Sequence, residues 1–164
     1  VADRRWVVAF GLLTLAGCAT VDSAPDASAS SGTPSPVAGY DWLLSEDGAE
    51  VRLAYGQAAS DDVELALSCV PASGRLTLSR PAPDGIRDIH LESGGETERF
   101  PATSEPSGIH DGAFLTAATT TDQPVFQRFR SVGWLAVLQA DDRTPLVAQP
   151  GTAPTIARFF QLCA

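Results

Sequence analysis

Between residues 40 and 120, apolar side chains recur at every second position in short runs. In VELALSCV (63–70), Val63, Leu65, Leu67 and Cys69 fall on one face and Glu64, Ala66 and Ser68 on the other. That is the period of a half-buried strand. Val51, Leu53 and Tyr55 alternate with Arg52 and Ala54 in the same way. Together with Tyr40–Leu44, across a Ser-Glu-Asp-Gly turn signal, they predict a hairpin. Leu76 and Leu78 resume the alternation after a Pro71–Gly74 turn. Asp88–Glu92, then Thr97–Phe100 beyond Gly94-Gly95, and Ala113–Thr119 supply further strands.

After residue 121 the period lengthens. Thr121-Asp122 reads as an N-cap and Pro124 belongs to a first turn, where its missing N–H costs nothing. Val125, Phe126, Phe129 and Val132 follow at helical spacing, and Gly133 stops the run. Trp134–Gln139 and Pro145–Ala148 read as strands across an Asp141-Asp142-Arg143 turn. Thr152-Ala153-Pro154 opens a last helix, with Ile156, Phe159, Phe160 and Cys163 at i, i+3, i+4 and i+7, a single apolar face. The expected fold is mainly β with α (α+β): an antiparallel sheet curled toward a small barrel or sandwich, with two short helices in the C-terminal third.

The pattern ahead of residue 40 is different. Arg4 and Arg5 precede an uncharged apolar run of twelve residues, Trp6–Gly17. A spanning helix needs about twenty, whereas twelve suits the apolar region of a signal peptide. Residues 19–39 are mostly Ala, Ser, Pro, Gly and Thr, with two valines as the only large apolar residues. Such a stretch cannot bury enough surface to offset its chain entropy and predicts a disordered tether. The expected organisation is a signal peptide at 1–17, a tether at 18–39 and a single domain of 125 residues at 40–164.

Charge narrows the partners. The chain has no Lys, Asn or Met, and its net charge is −9. With residues 1–17 removed, 19 acids stand against 9 arginines, a net charge of −10. The charge argues against nucleic acid as a partner, because its binding rests on neutralising phosphates with basic residues. It argues against adsorption to anionic lipid by charge for the same reason.

Leu15, Ala16, Gly17 and Cys18 resemble the lipobox of bacterial lipoproteins. The resemblance implies that Cys18 receives a diacylglyceryl thioether, that the chain is cut before it, and that its new amino group is acylated, palmitate being the usual chain. Acyl chains worth about 0.8 kcal/mol per buried methylene then anchor the protein stably. In that family the residue after the cysteine influences sorting. Ala19 is not the Asp that marks inner-membrane retention, so the resemblance implies a bacterial cell envelope protein, outer membrane favoured, with its domain in the periplasm or at the surface.

With Cys18 taken by lipid, Cys69 and Cys163 remain. One lies on the apolar face of the clearest strand and the other on that of the last helix. Export supplies an oxidising compartment, and two thiols make one disulfide. The pair is expected to be bonded and to pin the terminal helix.

Candidate chemistry is sparse. His90 and His110 are the only histidines. His90 and Glu92 share the polar face of their strand, but spacing supplies no further metal ligand, and no metal or cofactor is expected. There is no G-x-S-x-G and no calcium-loop spacing around Asp61-Asp62 or Asp141-Asp142. Those acidic pairs read as soluble turns. Arg128 and Arg130 read as the exposed flanks of core Phe129.

Ser60-Asp61-Asp62, Leu65, Leu67 and Cys69, with Phe160 to Cys163 at the end, are similar to small exported proteins of GC-rich Proteobacteria, a likeness that brings no activity with it. The expected role is a membrane-anchored, non-enzymatic binding or structural module, its partners the membrane through Cys18 and another envelope protein. An alternative is an inhibitor of host lysozyme. Ala72 to Leu76, ASGRL, resembles the inhibitory loop of that class, with Ser73 and Gly74 as the loop residues, although the Tyr expected next is absent. A second alternative is an enzyme with a dispersed site.

Overall fold

The computed structural model describes residues 33–108 and 111–164. The signal peptide, Cys18, tether residues 18–32 and His110 lie outside the described residues. The strands are β1 (Tyr40–Ser45), β2 (Val51–Gln57), β3 (Val63–Cys69), β4 (Arg75–Ala82), β5 (Asp88–Ser93), β6 (Glu96–Pro101), β7 (Thr103–Pro106), β8 (Ala113–Thr120), β9 (Trp134–Gln139) and β10 (Asp142–Val147). The helices are α1 (Pro124–Val132) and α2 (Ala153–Cys163).

The strands form two antiparallel sheets. One has six strands in the order β1-β2-β3-β4-β8-β7, the other four in the order β10-β9-β5-β6. They do not close into a barrel. One core draws on both sheets and both helices: Leu53, Leu65, Leu67, Leu78 and Leu115 from the larger sheet, Ile89, Leu91, Leu135 and Val137 from the smaller, and Phe126, Phe129, Phe159 and Phe160 from the helices. Helix α1 packs on β5 and β6, helix α2 on β1 and β2, and the helices touch each other. Strands β1 and β10 meet through a side-chain-to-backbone bond: Trp42 Nε1 donates to the Leu146 carbonyl at 3.3 Å.

The alternation is observed where it is strictest. Val51, Leu53 and Tyr55 are buried with Arg52 exposed, and Leu65, Leu67 and Cys69 are buried on β3. Ala66, on the opposite face, is buried as well. It lies between Ala54 of β2 and Ser79 of β4, small side chains that let the outer face pack flat.

Three boundaries differ from expectation. Strand β4 runs past Ser79 to Ala82, because Arg75–Ala82 pairs with β8 along its whole length. Pro81 is tolerated there since the β3 ladder ends at Ala66–Ser79, leaving no partner on that side for the N–H it lacks. The turn after β9 falls at Ala140-Asp141, one residue early, with Ala140 at φ 51°, so β10 starts at Asp142 rather than at Pro145. The N-cap of α1 is Gln123 rather than Thr121 or Asp122, and its side chain does not cap. Asp122 instead accepts from Thr120 Oγ1 at 2.5 Å, so the turn uses it before the helix can. At the other end Gly133 takes φ 77° and its N–H bonds the Phe129 carbonyl, the left-handed stop the sequence called for.

The domain reaches slightly upstream of Tyr40. The Val37 carbonyl accepts from Tyr40 N at 3.2 Å and from Gln149 Nε2 at 2.7 Å, so the last residues assigned to the tether already touch the fold.

Candidate functional site

Cys69 closes β3 and Cys163 closes α2. The two are disulfide-bonded, with Cα atoms 5.7 Å apart and a sequence separation of 94. Both are buried. Strand and helix periodicity each turn a thiol inward, and the packing of α2 brings the two faces together.

The Ser73-Gly74 turn sits beside this bond and is held down from two sides. Ala72 N donates to the Leu162 carbonyl and Gly74 N to the Cys163 carbonyl, both at 2.8 Å, while the Gly74 carbonyl accepts from Thr121 N at 3.0 Å. Ser73 Oγ turns back to its own loop, accepting from Arg75 N at 3.2 Å. The turn caps the orphan carbonyls at the end of α2, with Ser73 exposed.

The acidic pairs part company. Asp62 is structural: it accepts from the Tyr40 hydroxyl and, at 3.3 Å, from Gln57 Nε2. Its bond to the phenol raises the Tyr40 pKa. Asp141 and Asp142 are exposed at the β9–β10 turn. Arg130 lies over the Phe160 ring at 5.4 Å, and Arg128 lies so close to Gly94 that a Cβ there would meet its Nε at 2.5 Å. Both arginines serve packing.

The feature that sequence reasoning missed is a cleft of about 610 Å³ at the end of the fold where the β4–β5 connection meets the β9–β10 turn. Arg80, Arg87, Arg99 and Arg143 line it, with His90 and the acids Asp88, Asp141 and Asp142. On the smaller sheet, Arg143 pairs with Leu138, Leu138 with His90 and His90 with Arg99, so these residues form one row across four strands. Arg99 Nη1 bonds Asp88 Oδ2 at 2.7 Å and its Nη2 lies 3.2 Å from His90 Nδ1. A guanidinium only donates, so Nδ1 is the acceptor and the imidazole proton sits on Nε2. Burial, and then the Arg99 charge, hold the His90 pKa below its ordinary value, with Asp88 opposing. Arg143 is engaged by Glu92 at 2.5 Å and stacks over Trp134 at 5.1 Å.

Arg80 comes from the larger sheet. It continues the parity of Leu76 and Leu78 and is half-buried, with Nη1 donating to Gln139 Oε1 at 3.1 Å. Its Nε is buried without a hydrogen-bond partner. Burial lowers its pKa and the field of Glu64 raises it, yet no carboxylate forms an ion pair with it among the described residues. An arginine at core parity was the one signal in the sequence that pointed here. The other lining residues come from separated strands and turns that share no period. Among the described residues no cluster of His, Cys, Asp and Glu has the makings of a metal site.

Comparisons with protein-family models, with curated proteins and with solved structures find nothing that matches this chain.

Proposed function

We propose that the chain is a lipid-anchored lipoprotein of the bacterial envelope, outer membrane favoured, whose folded domain is a non-enzymatic binding module. The observation that carries the reading is Leu15-Ala16-Gly17-Cys18, set between an uncharged run of signal-peptide length and a polar stretch low in large apolar residues. The disulfide supports it, because a bond between Cys69 and Cys163 is typical of proteins in an oxidising compartment.

Detergent phase partitioning of the wild type and Cys18→Ser tests the anchor. The wild type is expected in the detergent phase and the variant in the aqueous phase. Equal recovery of the two in the detergent phase would overturn it.

A further inference from the structure

We propose that the cleft between the β4–β5 connection and the β9–β10 turn binds a small organic anion, its carboxylate or phosphate group received by Arg80 and Arg87. This deepens the binding-module reading and does not depend on the lipid anchor. The argument is one of unmatched charge. Of the four arginines lining the cleft, Arg99 is neutralised by Asp88 and Arg143 by Glu92. The other two have no carboxylate partner among the described residues. Arg80 spends one N–H on a neutral amide and leaves Nε unbonded. Arg87 donates only to the adjacent Ile86 carbonyl, at 2.9 Å. A half-buried guanidinium without a counter-anion carries a desolvation cost that an oxyanion offsets. Its planar fork fits carboxylate and phosphate alike.

The setting makes this more than surface scatter. The chain as a whole is acidic, at −9, yet four of its eleven arginines line this one cleft. The His90 tautomer that Arg99 selects leaves an Nε2–H as a further donor within the lining. Asp141 and Asp142 also line the cleft and are exposed, so their charge disfavours an extended polyanion more than a compact one.

The test is calorimetric titration of the full-length chain in a neutral detergent with succinate, glycerol phosphate and inorganic phosphate. One-to-one saturable binding is expected for succinate or glycerol phosphate, with a Kd of about 1 mM or below. Succinate alone assigns a carboxylate ligand. Glycerol phosphate together with inorganic phosphate assigns a phosphate ligand. Arg87→Gln, at an exposed position that leaves the core untouched, is expected to weaken binding on the order of tenfold, the scale of one charge-assisted hydrogen bond. Arg130→Gln, on α1 and outside the cleft lining, is expected to leave it unchanged. The proposal is overturned if neither organic anion binds saturably, or if Arg130→Gln weakens binding as much as Arg87→Gln.

Discussion

Thr152 donates its hydroxyl to a carboxylate oxygen of Asp41 at 2.5 Å, tying the start of the last helix to the first strand. The other oxygen of Asp41 accepts from Gln149 N at 3.0 Å and from Trp42 N at 2.8 Å. One half-buried carboxylate thus gathers β1, the β10–α2 connection and the helix N-terminus. Asp41→Ala leaves these donors unmatched and is expected to cost about 1–3 kcal/mol. Asp41→Asn keeps one acceptor oxygen and should lose less. Urea unfolding of the three proteins checks the order.

Reducing the Cys69–Cys163 bond releases a loop of 94 residues. The chain-entropy relation sets a ceiling of about 4–5 kcal/mol for its contribution, and measured values often fall short. The loss is expected first at α2, whose C-terminal carbonyls are capped by the Ala72–Gly74 turn beside the bond. Hydrogen exchange with and without reductant should therefore show residues 153–163 opening ahead of β2 and β3.

His90 is expected to titrate below the ordinary histidine range. Burial is the larger cause and Arg99 the next, with Asp88 opposing. Arg99→Gln removes the repelling charge and frees Asp88, so the His90 pKa should rise. Ring-proton NMR titration reads this directly, with His90→Gln to assign the signal. For stability the sign follows from the depressed folded value. The unfolded chain binds the proton more readily, so the contribution of neutral His90 is complete above the unfolded pKa near 6.5 and is lost as pH falls through that value toward the folded one.

Two left-handed positions should favour glycine over alanine, so opposite exchanges at them should have opposite effects. Gly133 has φ 77°, and an added Cβ would meet only the Ala148 Cβ at 3.8 Å. The cost of Gly133→Ala is therefore conformational, about 1 kcal/mol. Ala140 already bears that strain at φ 51°. Ala140→Gly relieves it and should stabilise by up to about 1 kcal/mol after the glycine's own entropy loss. Thermal unfolding of both variants separates the signs.

The elements legible in the sequence were those whose apolar period had no competitor. Leu65, Leu67 and Cys69 declare β3 unaided, and Ile156, Phe159, Phe160 and Cys163 declare α2 and with it the partner of Cys69. The short strand β7 was missed because Thr103, Ser104, Glu105 and Pro106 bury no large apolar side chain. It is held by its ladder with β8, Thr103 against Thr116 through Pro106 against Ala113. The split into two sheets was illegible because strand alternation fixes a face and not a neighbour: β5 pairs with β6 and β9 rather than with β4. The cleft follows from that pairing. Only once β5 joins β9 do His90 and Leu138 stand side by side, and only then does Arg80 at the end of β4 reach Gln139.

Whether Cys18 carries lipid is decided most directly by the intact mass of the mature protein and of its N-terminal peptide, purified from membranes. The account predicts that residues 1–17 are gone and that Cys18 is the first residue, bearing a diacylglyceryl thioether and an amide-linked acyl chain. A Cys18 of unmodified mass, or a chain that keeps its first seventeen residues, would contradict it.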